Sequence, residues 1–536
     1  MKVERVKVRM YKKLLGDCFL IIVEGKDGTR DASAHILIDC GVLQGTKGSK
    51  DLMMAAVRSI YEAAGEKGLD LVVVTHEHYD HICGFQLADD IFAERKFAHL
   101  WMPWIDNPDD PDGKALQEQF GQSYAALAGM AARFGVTTDV DDFETETILG
   151  LAGFSGPLAV PLDDGDGGAT AGAEGALGVS GRGKIGRGSR KIYLALKDWA
   201  QHTRYLSPGE VTRTPGSIGL KTYVLAPPRD RELLGKGLPS TQNPETYFAL
   251  AGEYLGSLEP TQNPPGNDKV RNERNVCREA QSHSPFSPSH RWRSFVELRD
   301  ATVVAGDETT EAQATRYLRE RYFEDEWPGA DFSSGEPLKH RRIDDAMRST
   351  FSSLALKMDN NTNNTSLVLA FELPDGAGTM VFAADAQVGN WVSWEGVEFR
   401  EEGKGETLPV ASKDLLAAAR LYKVGHHGSH NATLREKGLE LMTHGDLVAM
   451  IPTDEEFARR QSGTWEMPDA HLNDALIQKT SGRILRGDRP AEESVAMNRK
   501  MTGEESAARF AARIVDEDLY VEFTVFDREL GDGEDA

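Results

Sequence analysis

The chain is short of cysteine, of positive charge and of long apolar runs, and each shortage removes a class of protein. Four cysteines, Cys18, Cys40, Cys83 and Cys277, stand in 536 residues without a C-x-x-C pair. Neither a disulfide framework nor a thiolate zinc site is indicated. Lys and Arg number 61 against 85 Asp and Glu, a formal net charge of −24. That total disfavours a broad nucleic-acid surface, though it leaves room for a local basic channel. No run of 18 apolar residues occurs, and the opening MKVERVKVRMYKK has no apolar signal-peptide core. The expectation is a soluble, cytoplasmic protein. A hydrophobic content of 40% suits a globular core, and the length calls for a second domain or large insertions.

What the chain does have is a dense cluster of imidazole and carboxylate. The apolar run Leu71–Val74 reads as a buried strand, and THEHYDH, Thr75 to His81, follows it directly. Three histidines and an aspartate in six residues are the ligands that Zn²⁺, Fe or Mn²⁺ take when no thiolate is present. On an extended turn, His76 and His78 project to one side while Asp80 and His81 reach a second point, a spacing that suits two ions about 3.5–4 Å apart. The bland alternative is a polar loop whose histidines bond locally. A second cluster, GHHGSH (Gly425–His430), follows another short strand, Leu421–Val424. Adjacent side chains there point in different directions, so His426 and His427 are not both expected to be ligands.

Strands are also expected over Val3–Met10, Cys18–Val23, His35–Asp39, His99–Met102, Gly219–Leu225, Asn363–Glu372, Thr379–Ala384, Leu447–Pro452, Arg483–Arg486 and Leu519–Phe526. Helices are expected over Asp51–Gly65, Gly84–Phe92, Lys114–Phe134, Pro244–Leu258, Thr310–Phe323, Ile343–Met358, Pro468–Lys479 and Ser412–Arg420, the last capped by Ser412. His99, inside an apolar strand, reads as a core histidine rather than a ligand. Gly165–Lys191 is Gly- and Ala-rich and reads as a loop with a basic end. Lys184, Arg187 and Arg190 there, and Arg271, Arg274 and Arg291 in the polar stretch 269–293, are candidate phosphate contacts; a plain disordered loop is the competing reading.

Val72–His81 with Gly84 resembles the metal motif of the metallo-β-lactamase superfamily. GDC with ILIDCG, YVLAPP, NNTSLVL with ADA, and GHHGS are similar to the hydrolase domain of ComEC-type DNA-uptake competence proteins. The resemblance covers about half the chain. It implies an α+β fold, a four-layer αββα sandwich, here with two large, mostly helical insertions. Residues 1–104 and 351–536 would form the two halves and 206–229 a core strand, with insertions at 105–205 and 230–350.

It also implies roles. His76, His78, Asp80, His81, Asp385 and His427 would hold one or two divalent ions, zinc first, with Mn or Fe as alternatives. Asp385 would bridge them, although Ala384 stands where a glycine usually precedes that aspartate. Asp39, Thr75, Ser429 and His430 would support the ligands from behind, with His430 also able to contact a phosphate. Asp80 and His426 would act in catalysis, His426 as proton donor. A further histidine common in the superfamily has no counterpart here: His202, His283, His290 and His340 lie in no strand-end context.

The implied activity is hydrolysis by a metal-bound hydroxide, with DNA as the expected substrate, although no membrane segment is present for DNA import. The competing classes are a small-molecule ester, lactone or thioester hydrolase of the same fold, and a non-catalytic binding protein. No protein partner is indicated.

Overall fold

The computed structural model describes residues 2–43, 46–120, 189–216, 218–240, 245–246, 309–322, 360–461 and 466–532. The chain divides into two compact units, Met1–Leu255 with Phe351–Ala536, and Gly256–Thr350. In the second unit the helix Thr310–Tyr322 is described, one residue shorter than expected.

The first unit is built on sixteen described strands: β1 Lys2–Tyr11, β2 Cys18–Asp27, β3 Arg30–Cys40, β4 Leu69–Val73, β5 Phe97–Pro103, β6 Ala200–Leu206, β7 Glu210–Arg213, β8 Lys221–Ala226, β9 Val368–Glu372, β10 Thr379–Phe382, β11 Arg400–Glu401, β12 Ala419–Lys423, β13 Val448–Ile451, β14 Ile484–Arg486, β15 Ile514–Asp516 and β16 Tyr520–Asp527. They form two eight-stranded sheets, ordered β15-β16-β1-β2-β3-β4-β5-β6 and β11-β7-β8-β9-β10-β12-β13-β14. Each is mixed: antiparallel through β1–β3 and β7–β10, parallel through β3–β6 and β10–β14.

Strand alternation dictates the layering. Successive side chains on a strand face opposite ways. Phe19, Ile21 and Val23 of β2 and Leu71 and Val73 of β4 therefore meet Leu369, Phe371, Met380 and Phe382 of the other sheet in one inter-sheet core. Phe382 packs edge-on against both Phe19 and Phe371. The intervening Leu20, Ile22 and Val72 face outward and are covered by the helices Ser49–Ala64, Tyr79–Leu87 and Ser189–Trp199. Val381, Tyr422 and Ala449 face outward on the second sheet under Val388–Ser393, Ser412–Ala417 and Ala470–Thr480. Helix, sheet, sheet and helix make the expected four layers.

Several local expectations change. Helix formation begins at Tyr79 rather than Gly84, so Asp80 and His81 lie in a first helical turn and not on an extended one, with His81 N donating to His78 O. A second short helix, Asp89–Arg95, follows. The helix Ser189–Trp199 and β6 complete the first sheet and its outer layer, so the sheet resumes before residue 206, and Ser189–Lys191 belong to a helix rather than a loop. Ile192, Tyr193 and Leu196 bury that helix, which explains the local order. Residues 206–229 hold two strands, not one. Ser412 is the first helical residue and not the cap: its Oγ donates to Trp394 O, while the Ala411 amide at the cap is satisfied by Asp414 Oδ2.

Of the helix expected over 244–258, Glu245 and Thr246 are described, and Thr246 forms a β-bridge with Leu434. Residues 111–120 are helical, and the rest of the helix expected to Phe134 lies outside the described residues. So do the helix over 343–358 and the basic residues Lys184, Arg187, Arg271, Arg274 and Arg291; Arg190 falls in the first turn of Ser189–Trp199. No helix among the described residues is long and apolar enough to cross a membrane.

Candidate metal centre

The carboxyl ends of the parallel strands in both sheets share one rim, the edge at which strand-end loops can converge on a ligand. β4 delivers Thr75–Asp80, β10 delivers Asp385, β12 delivers Gly425–Gly428, β3 carries Asp39 just before its end at Cys40, and the loop before antiparallel β2 adds Asp17. A backbone hydrogen bond from Leu367 N to Thr75 O, 2.9 Å, ties the two loops across the rim. His76, His78, Asp80, His81, Asp385 and His427 all arrive there, each at most 1% exposed.

Four atoms form a cage. His427 Nε2 lies 3.0 Å from Asp80 Oδ2, and His81 Nε2 lies 3.1 Å from Asp385 Oδ2. The cross-distances His81 Nε2–Asp80 Oδ2 and His427 Nε2–Asp385 Oδ2 are 3.8 and 4.0 Å. Ligands about 2.0–2.2 Å from one tetrahedral ion lie about 3.4 Å apart, a value these four distances bracket. Beside the cage, His76, His78 and Asp385 offer three ligand atoms all within 4.8 Å of one another, with His76 Nε2 at 4.0 Å from Asp385 Oδ2. Asp385 is common to both groups. Asp17 also comes within reach of His81, Asp385 and His427. It faces the Nδ1 atoms of the two histidines, however, at 3.8 and 3.9 Å, and those nitrogens are already committed.

The commitments fix the rings. His81 Nδ1 bonds Asp39 Oδ2 at 2.7 Å, and His427 Nδ1 bonds Pro452 O at 2.7 Å. Asp39 in turn accepts from Thr75 N and Thr75 Oγ1, at 2.8 and 2.6 Å. Asp39 and Thr75 thus hold the His81 ring from behind; such bonds fix the tautomer and direction of a metal-ligating ring. His76 Nδ1 approaches Thr75 Oγ1 and Ser366 Oγ. Ser366 Oγ also accepts from Asp385 N, which ties the Asp385 loop to the first cluster. In contrast, His76 Nε2, His81 Nε2, Asp80 Oδ1 and both carboxylate oxygens of Asp385 are buried without a hydrogen bond among the described residues. Buried polar atoms are almost always paired. A convergent set left unpaired on imidazole and carboxylate, while the opposite ring nitrogens are satisfied, is the arrangement a divalent cation fits.

Electrostatics agree. Burial opposes charge on His81, but Asp385, Asp17, Asp80 and Asp39 outweigh it and raise its pKa well above the ordinary imidazole value. Burial likewise opposes a charged Asp385, yet His81, His426 and His427 hold its carboxyl well below the usual range. Burial raises Asp80 and Asp39 and pushes His78 down to about 3. A cluster so rich in buried carboxylate calls for positive charge, which a bound cation would provide. The backbone is also bent to the purpose: Asp39, Ala384, His426 and His427 all have positive φ, between 43 and 54°. Such conformations cost about 1–3 kcal/mol each and persist where the surroundings impose them.

His426 is buried beside Gln387, whose Nε2 lies 3.5 Å from its Nδ1. Burial pushes its pKa down to about 4, so at neutral pH the ring is uncharged. Ser429 Oγ donates to Asn431 Oδ1, at 3.1 Å, and Asn431 holds Gly237 O. Burial also lowers His430, whose opposing charge is Asp469 rather than a site carboxylate. The Ser429 hydroxyl is thus turned to Asn431. His99 packs against His202 on neighbouring strands β5 and β6, away from the cluster. No third histidine joins the group of His76, His78 and Asp385 among the described residues.

Two site residues went unnoticed in the sequence. Asp17 and Lys423 are both almost fully buried, with Lys423 Nζ 2.5 Å from Asp17 Oδ2. The signal available was a lysine closing the apolar strand before Gly425, and an aspartate in the tight link between β1 and β2.

Residues 16–168 match the model of the metallo-beta-lactamase superfamily. No curated protein matches the chain.

Proposed function

From a chain that carries a metallo-beta-lactamase superfamily domain over residues 16–168, we propose a metal-dependent hydrolase whose substrate is a phosphodiester of DNA. The observation that carries the hydrolase reading is the buried convergence of His76 Nε2, His81 Nε2 and the Asp385 oxygens, all without a hydrogen bond among the described residues, in two groups that share Asp385. The DNA reading rests on the similarity of GDC, ILIDCG, YVLAPP, ADA and GHHGS to competence-type hydrolase domains. The basic stretches of the sequence add the phosphate-binding chemistry this would need.

His76, His78 and Asp385 would hold one ion, and Asp80, His81, His427 and Asp385 the other. When bound, such a pair supplies Lewis acidity toward a phosphoryl or carbonyl oxygen and acidifies water. The chain's own residues do the rest. Asp39 and Pro452 O keep the Nδ1 protons of His81 and His427 pointing away, so that Nε2 faces the centre. Asp80 and Asp385 supply the fixed negative charge. His426, neutral by burial, offers an N–H toward a leaving oxygen rather than a full imidazolium proton. A small-molecule ester, lactone or thioester hydrolase is the second reading, favoured by the net charge of −24.

Incubation of the purified protein with single- or double-stranded DNA and Mn²⁺ or Zn²⁺ separates them. The expected result is cleavage that stops on chelation and returns when the ion is restored. Absence of cleavage with either ion, together with turnover of an ester, lactone or thioester, reverses the assignment.

A further inference from the structure

Behind the ligand cage lies a lysine that hydrolysis does not call for. β12 alternates Leu421 inward, Tyr422 outward and Lys423 inward, so the strand's pleat sends the Lys423 side chain between the sheets just below the rim. Lys423 is 1% exposed. Its Nζ is held on two sides, by Asp17 Oδ2 at 2.5 Å and by the carbonyl of Ala384 at 2.8 Å. Ala384 has φ 48° and directly precedes Asp385, so this bond grips the strained peptide that aims the bridging carboxylate. On its third side Lys423 Nζ lies 3.6 Å from Asp385 Oδ1.

The two oxygens of Asp385 thereby serve different neighbours. Oδ1 faces the ammonium. Oδ2 faces His81, His76 and His427, at 3.1, 4.0 and 4.0 Å from their Nε2 atoms. A carboxylate free to rotate could give one oxygen to each of two ions. A fixed ammonium 3.6 Å from Oδ1 disfavours that rotation.

We propose that Lys423, seated by Asp17, is a positioning residue that reserves Asp385 Oδ1 and leaves Oδ2 as the single oxygen shared by the two ion positions. This rests on the metal-dependent reading above and goes beyond it by fixing how the ions are joined. Asp17 neutralises the lysine on its far side, so the Lys423 charge is spent on orientation rather than on repelling the ions.

The test titrates metal-free protein with Mn²⁺, following stoichiometry by calorimetry and the coupling between ions by electron paramagnetic resonance. Wild type should bind two Mn²⁺ with the coupled spectrum of ions joined through one oxygen. Lys423→Met should bind the second ion on the order of 10–100-fold more weakly, as when a ligand's supporting partner is lost, and the coupled signal should disappear. A lysine that merely fills space would leave that spectrum unchanged. Removing one member of a buried ion pair can unfold a protein. The double variant Asp17→Asn with Lys423→Met removes both charges together and should lose the same signal. Two ions bound at wild-type affinity with the wild-type spectrum, in either folded variant, overturn the proposal while leaving the hydrolase reading intact. So does a wild type that binds a single ion. A wild type that binds none overturns the hydrolase reading itself.

Discussion

Asp385→Ala should abolish hydrolysis and empty both ion positions at once. Asp385 is the residue common to the two ligand groups, and its Oδ2 stands within 4.0 Å of three imidazole Nε2 atoms. Every other ligand serves one group; its loss leaves the neighbouring group complete. Losing Asp385 also removes the carboxylate that most strongly favours charge on His81. Metal assistance supplies several kcal/mol of transition-state stabilisation, and each 1.36 kcal/mol is tenfold in rate. The expected fall is therefore on the order of 10³-fold or more. Steady-state hydrolysis alongside elemental analysis checks it, and retention of both ions with a loss under tenfold would contradict it. His78→Ala, in comparison, should empty the first position and leave the cage of Asp80, His81, Asp385 and His427 able to bind.

Gly41→Ala should be the most damaging of the small substitutions near the site. Three loops interlock there: Gly41 N donates to Asp17 O, and Asp17 N donates to Asp80 O. A Cβ on Gly41 would fall 2.0 Å from Asp80 O, 2.1 Å from Asp80 C and 2.4 Å from His81 N. All three are backbone atoms, so no side chain can swing aside. Asp80 and His81, two of the proposed ligands, must move together, and their helix with them. Overpacking a core costs typically 1–3 kcal/mol; a backbone collision of this depth should cost at least the ~3 kcal/mol upper end. The Gly41→Ala protein should denature at markedly lower urea and retain less metal. An unchanged denaturation midpoint with full metal content would show that the loops part without cost.

Much of this candidate centre was legible in the sequence because its residues are local. His76, His78, Asp80 and His81 sit within six residues after an apolar strand, and strand-end chemistry is a property of the strand itself. Asp385 and His427 each close a short hydrophobic run, but they were assigned through the family resemblance, since the run itself does not separate His427 from His426. Asp39 was assigned through the resemblance carried by ILIDCG. Asp17 and Lys423 were not readable: each matters through a partner about four hundred residues away, and the pairing exists only once the two sheets face each other. The start of the helix at Tyr79 was hidden by the histidines themselves, which resemble loop composition. Ser412 looked like a cap because serine often is one, yet its hydroxyl is drawn to Trp394 O in the outer layer, a tertiary contact that overrides local preference. The outer-layer helix Ser189–Trp199 was obscured by the glycine-rich stretch leading into it.

The central claim is that one buried point between the sheets holds a pair of divalent cations. X-ray diffraction from crystals grown with Zn²⁺, collected on both sides of the zinc absorption edge, locates such ions directly. Two anomalous peaks are expected, one within bonding distance of His76, His78 and Asp385, the other within bonding distance of Asp80, His81, His427 and the same Asp385. No peak among these residues, or zinc held only elsewhere on the protein, would contradict the account.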